Sequence, residues 1–160
     1  MALSVVGTDR LPDSPYFRAK IAQEKLISSS GLPYSIVHAT QFFEFVKSIA
    51  DSAAVEGVVK LSPALVQPIA GDEVAAAVAR TAVCVPLNGL VETAGPEVFG
   101  LDAWVRQGLA LKGDPREVVA DEDAPYFGAI LEERTLVPGT DPILSQVRYE
   151  DWFLLNIAPR

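Results

Sequence analysis

Short apolar runs alternate with longer amphipathic stretches along this chain, and the alternation predicts its elements. Leu3–Thr8 is apolar and β-branched, the pattern of a strand covered on both faces of a parallel sheet. Ser14 and Pro15 then open a helix, as N-cap and first helical residue. It runs to about Ser29, where Gly31 is placed to end it. Residues 34–38 form the next buried strand, and residues 40–54 include a helix with phenylalanine at its start. Val58–Leu61 and Val66–Ile69 read as short strands. Asp72 is the expected N-cap of an alanine-rich helix over Val74–Val83. Leu90–Ala94 is a further strand and Leu101–Leu111 a further helix. From Asp114 the chain is proline-rich, acidic and irregular. A short helix or turn at Tyr149–Leu155 follows, anchored by Trp152 and Phe153.

The order strand–helix–strand–helix predicts the α/β class with a parallel core sheet. Leu3–Thr8 and Tyr34–His38 are expected to be adjacent and parallel, joined by a right-handed crossover through the first helix. With 160 residues, one domain is expected.

Composition narrows the function classes. An apolar content of 49% supports a packed core. A net charge of −8 argues against a nucleic-acid surface, which needs clustered Lys and Arg. The most basic stretch, Arg18–Lys25, itself contains Glu24. One cysteine, Cys84, excludes an internal disulfide and a multi-cysteine metal site. No run of 18 apolar residues predicts a membrane-spanning helix, and the first residues lack the pattern of a signal peptide. The expectation is a soluble, cytoplasmic protein without a membrane or nucleic-acid partner.

Candidate chemistry begins with Tyr16 and Lys20. At four residues' separation on a helix they share a face, one turn apart. A neighbouring cation favours a phenolate, which suits the tyrosine to proton transfer. Glu24 lies one further turn on, and a pair with Lys20 would be worth about 0.2–0.5 kcal/mol at best.

The context of this pair resembles a known family. The strand Leu3–Thr8, the Tyr16/Lys20 helix and the run Ala39-Thr40-Gln41-Phe42-Phe43-Glu44-Phe45 after a strand are similar to the second half of an atypical short-chain dehydrogenase/reductase of the NmrA-like kind. The resemblance runs from about Leu3 to Gly95, and more loosely to Trp152. It implies that residues 1–95 form the second half of a Rossmann-like sheet and residues 96–160 a small substrate-side region. The family's glycine-rich turn, which binds the cofactor pyrophosphate at a helix N-terminus, has no counterpart among the scattered glycines. The expected picture is thus a C-terminal part of the fold without its first dinucleotide-binding half.

What the resemblance implies for the site follows residue by residue. Tyr16 would be the proton donor, and Lys20 would support it and bond the nicotinamide ribose of NAD or NADP. Ser4, twelve residues before Tyr16, would polarise the substrate carbonyl, with Thr8 as runner-up. A serine bonded to backbone inside a buried strand explains Ser4 equally well. Ala39, Thr40, Gln41 and Phe42 would wrap the nicotinamide at the carboxyl end of their strand, where open α/β sheets bind ligands. Phe42 and Phe43 would wall a substrate pocket, although core packing is the better reading of Phe43 and Phe45. His38, the only histidine, reads as a packed strand-end side chain, and no second histidine exists to share a metal. Glu44, Asp51, Glu56 and the run Asp121–Asp123 form no carboxylate dyad by sequence.

Two function classes fit. One is an oxidoreductase moving hydride between a nicotinamide cofactor and a small carbonyl or quinone, with Tyr16 as proton donor. The other is a non-catalytic protein that senses a nicotinamide nucleotide or binds a partner; a truncated frame without independent activity is a third origin. In each case the strand at residues 3–8 lacks neighbours on one side, which predicts self-association or a complementing fragment at that edge.

Overall fold

The structure, a computed structural model, describes residues 1–157. Its principal sheet has four parallel strands. Strand β1 (Ala2–Val5) pairs with β2 (Ser35–Ala39), and between them the chain crosses through helix α1 (Pro15–Ser28). The Tyr34–His38 reading is therefore displaced by one residue. The Leu3–Thr8 reading is too long. Gly7 turns the chain with φ 82°, in a place where a Cβ would strike the Thr135 carbonyl, and Thr8–Arg10 form a 3-10 turn.

Helix α1 buries the positions spaced for one helical face, with Phe17 fully enclosed and Ile21, Glu24 and Ile27 half-buried. Ser14 occupies its N-cap, but the hydroxyl makes no capping bond. At the other end Ser29 accepts the termination: its backbone and hydroxyl both donate to Lys25 O, before Gly31 turns at φ 73°.

The predicted helix over 40–54 is shorter and later. Thr40–Phe42 stay extended, Phe43–Phe45 make a 3-10 turn, and α2 is Val46–Ser52. Strands β3 (Ala54–Val55) and β4 (Val58–Leu61) form an antiparallel pair. Then β5 (Leu65–Val66) ends well before Ile69, which instead bridges Phe42. Helix α3 spans Gly71–Val83. Its N-cap is Ala70 and not Asp72, and the Glu44 carboxylate takes the Gly71 N–H at 3.1 Å from across the molecule. An anion at a helix N-terminus is favourable whichever part of the chain supplies it.

Strand β6 (Gly89–Ala94) lies beside β2, parallel to it. Strand β7 (Phe99–Gly100) pairs with β5 and leads into α4 (Leu101–Leu111), whose limits match the sequence pattern. The segment after Asp114 is not wholly irregular. It holds β8 (Glu117–Ala120), parallel to β4, and β9 (Ile143–Leu144), parallel to the end of β6. Helix α5 (Tyr149–Ile157) closes the described chain. The principal sheet is ordered β1-β2-β6-β9, so β1 is an edge strand among the described residues.

This is a Rossmann-like α/β fold, with helices packed on a mostly parallel sheet. The main core gathers Phe17, Phe43, Val46, Trp104, Leu109, Leu136 and Tyr149 between α2, α4 and α5. Gly108 lets α4 approach α2, since a Cβ there would stand 2.7 Å from Val46. A smaller cluster, Ala39, Ile69 and Val74, lies under α3.

Candidate functional site

A cavity of about 510 Å³ runs along the open edge of β1. Leu3, Ser4 and Val5 form its floor, α1 gives one wall through Tyr16, Phe17 and Lys20, and the segment Ala39–Phe42 gives its head. Phe45, Ser48, Ile49 and Ser52 make the opposite wall, and Tyr126 with Phe127 closes one end. The cavity is apolar with few convergent polar groups, the usual character of a small-molecule site. It sits where β1 and β2 end, because α1 leaves the sheet there and the chain turns outward after Ala39.

The sequence-nominated residues Tyr16, Lys20, Ser4, Ala39, Thr40, Gln41 and Phe42 all line this cavity. Their side chains have different engagements. Phe42 stacks on Phe45 at 5.1 Å and 14°, presenting flat apolar surface. Phe43 turns the other way into the main core. Phe45, expected in the core, is 52% exposed on the cavity wall. Thr40 donates to Gln67 O at 2.6 Å and is held by that bond. Tyr16 packs edge-on to Phe17 at 5.1 Å and against Phe127 at 5.9 Å.

Gln41 is the polar feature of the cavity. It is 6% exposed, and neither its amide oxygen nor its amide nitrogen has a hydrogen-bond partner. Leaving such groups unpaired costs about 1–3 kcal/mol each. Tyr126 stands beside it. Burial pushes the Tyr126 phenol well above its usual range; the facing Gln41 amide works against that rise, and nearby Tyr16 adds to it. No hydrogen bond of ordinary length closes between Tyr126 and Gln41.

Beneath α1 lies a second constellation. Ser4, His38 and Glu92 stand in one cross-strand row, in register across β1, β2 and β6. Ser4 donates its hydroxyl to Glu24 Oε1, and His38 Nε2 meets the same oxygen at 3.0 Å. Glu24 therefore does not pair with Lys20. Lys20 Nζ donates instead to Leu3 O and to Gln23 Oε1, both at 3.2 Å. The Ser4 hydroxyl is committed to Glu24, and no hydrogen bond joins Tyr16 to Lys20 or to Ser4. Thr8 donates to Val5 O at 2.6 Å and does not line the cavity.

Sequence reasoning missed Tyr126, Phe127, Ser48, Ser52 and the role of Glu24. The spacing Phe17–Ile21–Glu24 places Glu24 on the buried face of α1, which was a readable signal. The aromatic pair 126–127 inside an acidic segment was another. Ser48 and Ser52 carried none.

Elsewhere the carboxylates serve structure. The Arg116 guanidinium forks onto Asp114 and also reaches Asp51 at 2.8 Å, tying α2 to the α4–β8 connection. That contact holds the Asp114 carboxyl down at about 2. Among the described residues no group of His, Cys, Asp and Glu is arranged to hold a metal, and no helix is long and apolar enough to cross a membrane. No family model matches this chain, and no curated protein matches it at a significant level.

Proposed function

We propose that this chain carries the substrate side of an oxidoreductase site of the short-chain, NmrA-like type, working with NAD or NADP on a small carbonyl or quinone. The observation that carries the reading is the gathering of Tyr16, Lys20, Thr40, Gln41 and Phe42 around one apolar cavity at the ends of two parallel strands. The unpartnered Gln41 amide fits a planar ring bearing a carboxamide, which it would meet as donor and acceptor together. The stacked Phe42 and Phe45 give such a ring a flat wall, and the apolar lining excludes water. A bound reduced nicotinamide would supply the hydride. Tyr16 would give its phenolic proton to the substrate oxygen, and the Lys20 ammonium one turn away would offset the phenolate left behind. With no glycine-rich turn in the sequence, this chain offers the nicotinamide end of a dinucleotide a site and its pyrophosphate none.

Titration with nicotinamide mononucleotide, followed by NMR, tests this. Shifts are expected at Gln41, Phe42 and Tyr16, with whole NAD and NADP binding more weakly than micromolar. Unmoved resonances at those residues, or micromolar dinucleotide affinity, would mean that the site is misplaced. Tyr16→Phe should lower any quinone reduction about 100-fold or more. A second reading, nucleotide sensing or partner binding without turnover, is favoured by the engagement of the Ser4 hydroxyl with Glu24, which leaves Tyr16 without a hydroxyl partner.

A further inference from the structure

Helix α1 has a second flank, away from the open edge of β1, and a second cavity of about 300 Å³ lies along it. Ile21 and Glu24 line this cavity from the helix, Ile36 from β2 and Leu90 from β6, with Tyr34 at the approach to β2. Ile36 and Leu90 are register partners, so they make one apolar step across the two strands. Ile36 is buried, whereas Leu90 is 56% exposed.

Glu24 is the polar centre of this cavity, with its side chain 20% exposed. Its Oε1 is taken by the Ser4 hydroxyl and by His38 Nε2 from the sheet below. Its Oε2 makes no hydrogen bond among the described residues and keeps open surface. The bonds from the sheet hold the carboxylate in place, so Oε2 can meet a ligand with little reorganisation. Lys25, the one cation in the lining, does not pair with Glu24. Asp9 adds a second, largely exposed carboxylate at one end.

We infer that this cavity binds a small primary amine with an apolar body. The ammonium donates to Glu24 Oε2, and the body lies on Ile21, Ile36 and Leu90. An ammonium brings three donors and a full charge to that oxygen, where an alcohol brings one neutral donor. A carboxylate ligand would meet two like charges, Glu24 and Asp9. The volume stands at the small end of ligand cavities, which limits the body to a short chain or a single ring. The net charge of −8 draws cations toward the protein. Glu24, Ile36 and Leu90 do not line the first cavity, so amine binding here and nicotinamide binding there stand or fall separately.

The probe is n-hexylamine, titrated into the intact protein at millimolar concentration near pH 7, with hexan-1-ol as its neutral counterpart. NMR reads the Ile36 and Leu90 methyl groups. Saturable shifts at both are expected with the amine, and hexan-1-ol should bind about tenfold more weakly, for want of a hydrogen bond from a charged donor. Glu24→Gln should bring the amine down to the affinity of the alcohol. That variant also disturbs the contacts with Ser4 and His38, so Leu90→Ser, at an exposed position, is the companion. It should weaken amine and alcohol alike, by about fivefold, with the fold intact. Unmoved methyl groups at Ile36 and Leu90 overturn the inference, as does equal affinity for amine and alcohol. Undiminished amine binding in a folded Glu24→Gln or Leu90→Ser variant overturns it too, and so do shifts confined to Tyr16 and Phe42 in the first cavity.

Discussion

Phe42 and Phe43 are neighbours in sequence and end in opposite environments. Phe43 is 1% exposed, tilted against Tyr149 at 5.0 Å and Trp152 at 5.5 Å in the main core. Phe42 faces the trough and stacks on Phe45. Both regions use aromatic and aliphatic side chains of the same kinds, yet one is filled and the other is open. The difference lies in backbone. Around the core, α2, α4 and α5 meet face to face, helped by Gly108. Beside β1 the sheet simply stops, and the helices on either side of it overhang an empty lane. Apolar surface that is closed stabilises the fold. The same surface left open at a sheet edge is available for binding.

The sharpest way to break this contrast is truncation on both sides of it. Trp104→Ala should lower stability by about 3–5 kcal/mol in urea unfolding. Phe45→Ala, on the cavity wall, should lower it by less than about 1 kcal/mol. Similar losses would mean that the trough is part of the core. Gly108→Ala comes next. Crowding of Val46 and Tyr149 costs about 1–3 kcal/mol, against about 1 kcal/mol of helix propensity gained, so the thermal midpoint should fall. A midpoint that rises would show that α2 and α4 have room to spare. For Gln41→Leu the expected direction reverses. Removing an unpaired buried amide should raise stability by about 1 kcal/mol while weakening nicotinamide mononucleotide binding. A loss of stability would reveal a partner for that amide within the protein.

The smallest effect concerns acid. The Asp114 carboxyl is held at about 2, below the unfolded value near 3.9. Its contribution is therefore complete above about pH 4 and is lost as pH falls through about 2. Asp114→Asn should flatten the acid limb of the stability profile in that window, read as urea midpoints. An unaltered limb would leave the Arg116 contacts without measurable effect.

Much of the frame was legible because it is local. Helix α4 shows a clean amphipathic period and matches its expected limits, and α1 is marked by Ser14 and Pro15. The adjacency of β1 and β2 followed from a strand–helix–strand order. What was illegible depends on distant partners. Strands β8 and β9 are four and two residues long, and only their pairing with β4 and β6 makes them strands. The start of α3 is set by Glu44, 27 positions away, and not by the nearby Asp72. At the site, spacing nominated Tyr16 and Lys20, and the family resemblance nominated Ser4 and the run Ala39–Phe42. They could not tell that Ser4 would turn to Glu24, because that bond needs the helix docked on the sheet.

The exit from β1 carries a consequence for how the chain comes together in time. Arg10 Nη1 donates to three carbonyls, Arg134, Thr135 and Val137, at 2.9–3.2 Å, and Gly7 leaves no room for a Cβ against Thr135. The loop after β1 is therefore moulded on a segment made 124 positions later. During synthesis at about 5–20 residues per second, Arg10 waits roughly 6–25 s for the carbonyls that hold it. Until then β1 has its register with β2 to keep it but no finished turn beyond it. The clasp closes only once Val137 has been made, and β1 is expected to become resistant to protease later than β2 and β6 of the same sheet as the nascent chain lengthens.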